Sequence, residues 1–327
     1  MAVILPAYNE EQTIGRTMRE FHSVAPDAFF CVVDNNSTDR TADNARDMLR
    51  ELQAEGVVLR EERQGKGNAV RRALTDVDAD VYVLADADCT YPAGQLPELL
   101  APVMEGTADM VCGDRLSGGD YFKENRRLFH GFGNRLVQGL VNRVSGRRFK
   151  DIMTGYRVMS RDFVRIYPII TEGFQLETDM TLFAAQARMR VLEIPIRYRD
   201  RPVGSVSKLH TFRDGVRILW SIFTLFRYCS PLTFFSLVAA LFALCSLLSG
   251  GVVIGEWLQT RYITHVPLAI LAVSLGILAA ISLGTGFVLD AFTHQRRLDL
   301  EIRIQSNATR RFTATRNKGG NGRNTTE

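Results

Sequence analysis

Short apolar runs alternate with longer amphipathic segments over the first third of the chain. The apolar runs are bounded by polar or glycine residues, and they predict strands at Val3–Leu5, Phe29–Val33, Val57–Leu59, Val81–Leu84 and Met110–Cys112. The segments between them, such as Glu10–Val24 and Thr38–Ala54, have the spacing of helices. This alternation predicts an α/β domain with a largely parallel sheet.

The pattern changes after about residue 115. A basic helix is predicted at Asn125–Val144, followed by strands within DIMTGYRVM (151–159) and VLEIPIRY (191–198) that flank a helix around Glu177–Ala187. The segment 209–228 then has an apolar face, which is typical of a helix lying in lipid headgroups. A surface helix packed on the domain is the alternative. The apolar face consists of Phe212, Val216, Leu219, Trp220 and Phe223.

Two long stretches near the C-terminus contain no Asp, Glu, Lys or Arg, at Leu232–Ile254 and Pro267–Leu289. As helices, both are long enough to cross a hydrocarbon layer of roughly 30 Å. They therefore predict two transmembrane helices, and two buried helices of a soluble protein are the alternative. In the second stretch, small residues are spaced for close helix packing, at Gly276, Ala280 and Gly284.

The distribution of arginines predicts the orientation in the membrane. The first residues lack the basic segment and the long apolar run of a signal peptide, so the first domain is expected in the cytosol. Arginines precede the first span and follow the second, whereas only Arg261 lies between the spans, so both ends are expected in the cytoplasm. The predicted organisation is a catalytic domain (1–208), an interfacial helix (209–230), a transmembrane hairpin (231–290) and a basic, largely disordered tail (291–327).

The overall composition is that of an ordinary globular chain, and it excludes some classes of site. Of 327 residues, 46% are hydrophobic and 23% are charged, with a net charge of +4. Much of the positive charge follows Gln295, which favours anionic lipid headgroups as partners over nucleic acid. The five cysteines have no paired spacing and no nearby histidine cluster, so we expect reduced thiols and no zinc site.

Carboxylates follow two of the predicted strands. Asp86 and Asp88 come directly after Val81–Leu84, and Asp34 ends an earlier strand. Ligands of parallel sheets bind beyond the carboxyl ends of the strands, so these side chains are expected in one crevice. A lone pair of this kind can simply cap turns. Two neighbouring negative charges are costly unless a cation offsets them, however, and Mg²⁺ or Mn²⁺ prefers carboxylates and bridges substrate phosphates.

Glycine motifs that would indicate other nucleotide-binding classes are incomplete. GKG at 65–67 lacks the glycine and the Ser or Thr of a phosphate-binding P-loop. GFGNRL at 131–136 lacks the third glycine of a dinucleotide-binding motif and follows no predicted strand. Kinase-like and dehydrogenase functions are therefore disfavoured.

An ordered set of motifs resembles a known family. LPAYNEEQTI (5–14), VVDNNSTDRT (32–41), GKGNAVR (65–71) and ADADCTYP (85–92) resemble the donor half of family 2 glycosyltransferases, which have the GT-A fold. Four later motifs resemble the polyprenyl-phosphate branch, which includes dolichol-phosphate mannose synthases and bacterial undecaprenyl-phosphate glucosyl- or N-acetylglucosaminyltransferases. These are GDRLSGG (113–119), NRRLFHGFGNRL (125–136), DIMTGYRVMSR (151–161) and RPVGSVSKL (201–209), so the likeness covers about residues 2–230.

The resemblance implies roles on the donor side. Asp86 would lie at the ribose and diphosphate, with Asp88 as the main ligand of Mg²⁺ or Mn²⁺. Dolichol-type members often carry Gln where this chain has Thr90, and a weaker or water-mediated metal ligand is one interpretation of it. The nucleotide would be held by Pro6, Tyr8, Glu10, Asp34 and Lys66. A mobile loop containing Arg201, Ser207 and Lys208 would close on the diphosphate.

On the acceptor side, arginine suits bidentate recognition of a lipid phosphate. The resemblance implies this role for Arg115, Arg126 and Arg127, although the last two are adjacent on a helix and could instead form a solvated basic face. Glu177 and Asp179 occupy the position of the usual acidic base. Asp179 is then a candidate base or orienting group and Glu177 a sugar-hydroxyl ligand, with helix-start carboxylates as the alternative.

These observations predict an inverting, metal-dependent transferase. A polyprenyl phosphate would attack a nucleotide sugar, with UDP-glucose or UDP-N-acetylglucosamine favoured as the donor and GDP-mannose allowed. Arg115 and Lys208 would assist at the reacting phosphates, and the sequence is compatible with a homo-oligomer. A processive membrane polysaccharide synthase is one alternative, although the QxxRW motif is absent. A non-catalytic nucleotide-sugar-binding scaffold is the other.

Overall fold

The computed structural model describes residues 1–117, 138–139, 141–143, 146, 148–169, 176–199, 223–224, 226–227 and 230–320. The chain divides into two compact units. One contains Met1–Gly215 with Arg303–Glu327, and the other is Val216–Ile302. The first unit holds the sheet and the second holds a helical hairpin.

The first unit is built around one seven-stranded, mixed sheet. Its order is β3-β2-β1-β4-β6-β5-β7, and β6 alone is antiparallel to its neighbours. The strands are β1 Ala2–Ala7, β2 Phe29–Asp34, β3 Gly56–Arg60, β4 Val81–Leu84, β5 Met110–Asp114, β6 Arg157–Ser160 and β7 Val191–Pro195. The helices are α1 Ile14–Val24, α2 Thr41–Leu52, α3 Lys66–Asp76, α4 Leu96–Met104, α5 Arg161–Ile166 and α6 Leu176–Gln186.

The five strands predicted before residue 115 are confirmed. They are continuous apolar runs because helices cover the sheet, and residues 3–5 and 81–84 are buried on both faces. The chain leaves β1 towards β2 on one side, whereas β4 pairs with β1 on the other. The order of strands therefore reverses between β1 and β4, and ligands of α/β sheets bind at such a point.

The core lies on both sides of β1 and β4. Buried apolar residues of α1 and α4 pack with the strands, among them Ile14, Met18, Phe21, Leu96 and Leu99. Aromatic rings belong to the same core, because the ring of Tyr156 meets that of Phe21 edge-on, with 5.9 Å between the centroids, and that of Tyr91 with 5.3 Å between the centroids. This packing supports the loops at the carboxyl ends of the strands.

Two predicted elements are shorter than expected. The strand predicted over residues 151–159 begins only at Arg157, because the carbonyl groups of Ile152 and Thr154 accept hydrogen bonds from the Arg157 side chain. Helix α1 begins at Ile14 rather than Glu10, since the preceding residues form a loop in which the Glu10 N–H donates to the Thr41 hydroxyl at 2.8 Å.

The second unit contains α7 Pro231–Thr260 and the part of α8 up to Ile302, where α8 as a whole is Val266–Gly320. Each has a stretch of mean hydropathy 2.5, of which only 11% is buried, so neither resembles the core helix of a soluble protein. Both are long enough to span a membrane. The Ser246 hydroxyl donates to the carbonyl oxygen of Ala272 at 2.7 Å and joins the two helices.

The close contacts in this hairpin differ in part from the predicted ones. A Cβ at Gly276 would lie 3.3 Å from the Ser246 hydroxyl, as expected for a packing position. A Cβ at Gly284 would meet nothing within 4 Å, whereas one at Gly286 would lie 2.9 Å from Cβ of Phe235. The three predicted positions are four residues apart, whereas the close contacts with α7 occur at Gly276 and Gly286.

Residues 291–320, part of the tail that was predicted to be largely disordered, continue α8 in the structure. No glycine or proline occurs between Phe287 and Lys318, so nothing in that stretch ends a helix. Residues 321–327 lie outside the described part of the chain. The predicted helices Asn125–Val144 and 209–230 lie mostly outside it, and positions 138–139, 141–143, 223–224 and 226–227 are helical.

Candidate active site

The site is built where the order of strands reverses. Asp34 is the last residue of β2, and Asp86 and Asp88 follow β4 in the loop 85–90. β1 lies between these two strands and pairs with both. The structure therefore brings Asp34 and the Asp86–Asp88 pair to the same edge of the sheet, at the ends of two strands that β1 separates.

Lys66 lies between two carboxylates in this crevice. Its ammonium group is 2.5 Å from Oδ1 of Asp86 and 2.5 Å from Oε1 of Glu177. The side chains of Lys66 and Glu177 are 12% and 6% exposed, and that of Asp86 is 31% exposed. Burial lowers the pKa of Lys66, but the attraction of Asp86 and Glu177 outweighs it and raises the pKa above its usual value. The group is therefore a permanent cation.

The backbone at Gly155 closes one side of this charge cluster. A Cβ at Gly155 would lie 2.8 Å from Nζ of Lys66 and 2.9 Å from Oδ2 of Asp86, so only glycine fits without displacing them. The N–H of Gly155 donates to the hydroxyl of Tyr91 at 2.8 Å. Burial raises the pKa of Tyr91, which keeps this phenol neutral. The loop before β6 is thus a wall of the site. The motif DIMTGYRVMSR (151–161) covers this loop, but the sequence analysis assigned Gly155 no role.

Arg157 holds that wall in place. Its side chain is fully buried, and it donates Nε to the Thr154 carbonyl at 3.0 Å and Nη2 to the Ile152 carbonyl at 2.8 Å. A buried guanidinium needs such acceptors, because an unpaired buried charge is strongly destabilising. The same contacts fix the loop that carries Gly155. The motif DIMTGYRVMSR (151–161) contains Arg157, but the sequence analysis assigned this residue no role.

Thr90 orients Asp88. Its hydroxyl and its backbone N–H both donate to Oδ1 of Asp88, at 2.6 and 3.1 Å. Both residues are buried. Thr90 therefore acts on the carboxylate of Asp88, a role different from the metal ligand considered from the sequence.

Asn35 fastens the loop that precedes Lys66. Its amide group donates to the carbonyl of Arg63 at 2.7 Å, and its side-chain oxygen accepts from the N–H of Gly65 at 2.7 Å. Gly65 has a φ of 132°, a conformation that a side chain rarely tolerates. The motifs after β2 and before α3 are thereby joined, and Lys66 enters α3 at a fixed position. In the sequence, the position of Asn35 directly after Asp34 was the feature that could have indicated this role.

The residues predicted to hold the nucleotide base lie beside Asp34. Pro6 is in register with Val33 across β1 and β2, two residues before Tyr8. The Glu10 carboxylate accepts from the Thr13 hydroxyl at 2.8 Å, and the Asn9 side chain accepts from the N–H of Thr38 at 2.8 Å. The loops after β1 and β2 are therefore locked together, although the structure does not test their binding roles.

The N-terminal half of the sequence matches a known protein family. Residues 2–166 match glycosyl transferase family 2. The chain belongs to this family. It is therefore a glycosyltransferase.

Two relatives and one solved structure extend the comparison. The chain is 30% identical to glycosyltransferase AglJ of Haloferax volcanii, over 86% of this chain and 90% of that protein. It is 32% identical to a dolichyl-phosphate hexose transferase of the same organism, over 68% and 92%. The fold is similar to glucosyl-3-phosphoglycerate synthase of Mycobacterium tuberculosis, solved with Mn²⁺ and UDP-glucose, with a TM-score of 0.52, 21% identity and coverage of 70% and 78%.

In this glycosyltransferase, Glu177 and Asp179 point to different partners. Two positions along a helix differ by about 200° in direction, so both cannot face one ligand. Glu177 binds Lys66, whereas Asp179 accepts from the hydroxyl of Tyr167 at 2.8 Å. Burial, and then the charge of Asp179, raise the pKa of Tyr167, so its hydroxyl stays protonated as a donor.

Arg115 has a partner within the protein. Its Nε and Nη2 donate to the two carboxylate oxygens of Asp151 at 2.8 and 2.9 Å, and both side chains are largely buried. This pairing occupies one edge of the guanidinium, which was predicted to bind the acceptor phosphate. The remaining predicted residues of the acceptor site and the closing loop lie outside the described part of the chain: Arg126, Arg127, Arg201, Ser207 and Lys208.

The donor groups fit a hard divalent cation. Within the described residues, no group of three or more His, Cys, Asp or Glu side chains is arranged to hold a metal. Mg²⁺ and Mn²⁺ nevertheless bind through one or two carboxylates together with substrate phosphates, as Asp86 and Asp88 offer. The ammonium group of Lys66 carries one positive charge, whereas the two side chains that it contacts, Asp86 and Glu177, are both carboxylates. The excess of negative charge in this group favours a divalent ion.

Proposed function

We propose that this glycosyltransferase moves a hexose from a nucleoside diphosphate sugar to a polyprenyl phosphate at a membrane surface. The observation that carries the proposal is the Lys66–Asp86 pair beside Asp88 at the switch point of the sheet. The relative named as a dolichyl-phosphate hexose transferase and the two apolar helices support a lipid acceptor. UDP-glucose and UDP-N-acetylglucosamine are the favoured donors, and GDP-mannose is allowed.

The donor would bind across the ends of β1, β2 and β4. The base and ribose lie at Asp34 and at Pro6, Tyr8 and Glu10, in the loops that Asn9 and Thr38 join. Asp86 and Asp88 would hold Mg²⁺ or Mn²⁺, which would supply charge stabilisation for the diphosphate leaving group. Thr90 keeps the Asp88 carboxylate in one orientation, so little reorganisation is needed when the donor arrives.

The acceptor needs little activation. A phosphate monoester has a second pKa near 6, so roughly nine-tenths of it is a dianion at pH 7. One of its oxygens forms a bond to the anomeric carbon while the bond from that carbon to the diphosphate breaks. In-line attack inverts the configuration of the anomeric carbon and yields a β-linked polyprenyl-phosphate sugar. Asp179, held by Tyr167, orients the acceptor rather than removing a proton.

The remaining roles follow from the family resemblance. Arg115, Arg126 and Arg127 would bind the acceptor phosphate, and Lys208, with Arg201 and Ser207, would stabilise the departing nucleoside diphosphate. We place the catalytic domain and the C-terminus in the cytoplasm, with α7 and α8 spanning the membrane. A homo-oligomer is compatible with this arrangement.

The test supplies membranes that contain the protein with polyprenyl phosphate, Mn²⁺ and each labelled nucleotide sugar in turn. Transfer of label to the organic phase from one donor supports the proposal and identifies the sugar. Asp88→Asn is expected to abolish transfer, whereas Asp80→Asn should retain it. Asp80 is a matched control because its exposed carboxylate pairs only loosely with Arg161, at 3.3 Å.

The same assay separates the alternatives. A processive polysaccharide synthase would yield products that lengthen with time and remain in the aqueous phase. A scaffold would bind nucleotide without transferring label from any donor. Full transfer by Asp88→Asn would contradict the assignment of the metal site.

A further inference from the structure

Lys66 is placed as a resident cation of the donor site. Its ammonium group contacts Asp86 and Glu177 equally closely, at 2.5 Å each. An ammonium group has three N–H donors, and these two carboxylates take two of them. The cluster of Lys66, Asp86 and Glu177 therefore combines two carboxylates with one cation.

The pair sets Lys66 and a divalent ion in competition for the same carboxylate. Oδ1 of Asp86 contacts the ammonium group of Lys66 at 2.5 Å. A divalent ion that coordinates Asp86 is therefore repelled by the positive charge of Lys66 as long as this ion pair persists. When its contact with Asp86 breaks, the ammonium group of Lys66 stays in the site. It remains paired with Glu177 of α6, which is almost fully buried.

We propose that Lys66 is a positioning residue that keeps Asp86 from divalent metal until a nucleoside diphosphate binds. This inference rests on the proposed function. The diphosphate offers the ammonium group new anionic acceptors, so Lys66 releases Asp86 to the metal while Glu177 anchors its position. Metal and nucleotide then enter as a unit, and the enzyme does not hold the metal tightly without a donor.

The proposed role of Lys66 couples the binding of metal to the binding of nucleotide. If nucleotide strengthens metal binding, then metal must strengthen nucleotide binding by the same factor. Part of this coupling arises from direct contact between metal and phosphate in any such enzyme. The share of the coupling that depends on Lys66 is seen as a low affinity for metal in the absence of nucleotide. Removal of Lys66 should raise this affinity.

The experiment measures Mn²⁺ binding to the purified full-length protein by the electron paramagnetic resonance of free Mn²⁺, with and without UDP. Lys66→Met is expected to bind Mn²⁺ alone about tenfold more tightly than the wild type, because a competing positive charge in contact with the ligand is removed. UDP should then strengthen Mn²⁺ binding by a smaller factor than in the wild type. Lys66→Arg keeps the charge and should bind Mn²⁺ alone as weakly as the wild type.

Arg72→Met is the matched control. Arg72 lies on the same helix as Lys66 and pairs with Asp76 at 2.6 Å, so its loss changes the net charge equally without touching the cluster. Its Mn²⁺ affinity should remain within about twofold of the wild type, because exposed charges at a distance are screened.

Two outcomes would overturn the inference. One is an unchanged affinity of Lys66→Met for Mn²⁺ alone, with folding verified by circular dichroism. The other needs no variant: the wild type binding Mn²⁺ alone as tightly as with UDP. Failure of the proposed function looks different, because Asp88→Asn would then leave Mn²⁺ binding with UDP intact.

Discussion

Thr90 donates both its hydroxyl and its backbone N–H to Oδ1 of Asp88. The buried carboxylate is therefore oriented by the protein before any ligand binds. The carbonyl of Thr90 also accepts from the N–H of Arg199 at 3.1 Å, so the loop after β4 is held from both sides. The threonine at this position therefore orients the carboxylate that we propose as a metal ligand.

Replacing Thr90 with valine should weaken the metal site. Valine keeps the shape of threonine but lacks the hydroxyl that contacts Asp88 at 2.6 Å. A hydrogen bond to a charged group contributes about 1.5–3 kcal/mol, so the Mn²⁺ concentration needed for half-maximal transfer should rise roughly tenfold or more. Thr90→Ser retains the hydroxyl and is the control. An unchanged Mn²⁺ requirement in Thr90→Val would show that the contact does not orient Asp88.

Gly155→Ala should impair the donor site while the protein stays folded. The new Cβ would approach Nζ of Lys66 to 2.8 Å, and the ion pair with Asp86 must move apart. We expect at least about a tenfold loss of kcat/KM for the donor, equivalent to about 1.4 kcal/mol. Gly94→Ala is the matched control, because a Cβ at Gly94 meets nothing within 4 Å. Equal kinetics of the two variants would refute the steric role of Gly155.

Arg157→Met should destabilise the first unit. The carbonyl groups of Ile152 and Thr154 would lose their buried donor, and each unsatisfied group costs about 1–3 kcal/mol. The free energy of unfolding, from urea titration followed by circular dichroism, should fall by at least about 2 kcal/mol. Arg165→Met removes an exposed arginine of α5 and should change it by less than about 0.5 kcal/mol.

Arg157→Lys separates positioning from stability. Lysine keeps the charge and can reach one carbonyl group, so it should recover part of the lost stability. If Arg157 positions the Gly155 loop, this variant should still show a raised KM for the donor, with little change in kcat. A normal KM with reduced stability would indicate a purely structural role.

The two neighbouring glycines of α8 predict different responses to leucine. A side chain at Gly286 would collide with Phe235, whose Cβ lies 2.9 Å from the added Cβ, whereas the position at Gly284 is open. Gly286→Leu should separate the hairpin and lower the thermal stability of the detergent-purified protein, and Gly284→Leu should not. Equal stability of both variants would refute the observed packing of α7 on α8.

Some of the fold follows directly from the order of residues. The runs at residues 3–5 and 81–84 are apolar throughout, which is typical of a strand covered on both faces. The antiparallel insertion of β6 between β4 and β5 was not predictable in the same way. Its pairing of Leu84 with Arg157 joins segments that are distant in the sequence.

In the candidate site, too, some residues could be predicted from local sequence and others could not. Asp86 and Asp88 could be found because charged residues directly after a buried strand are unusual, and Asp34 because it ends the neighbouring one. Lys66 and Glu177 are 111 residues apart, and nothing in either motif indicates that they form an ion pair. Gly155 and Arg157 likewise acquire their roles only from atoms of other loops.

The sequence by itself therefore determined the α/β class, the two apolar helices, the family and the Asp86–Asp88 pair. These depend on local patterns, because burial on a strand or in a bilayer constrains each residue where it stands. Only the tertiary structure decided that Lys66 offsets Asp86, that Thr90 orients Asp88 and that the Gly155 backbone closes the cluster. Those relationships depend on distances of a few ångströms between segments far apart in the chain, and such distances exist only after the sheet has assembled.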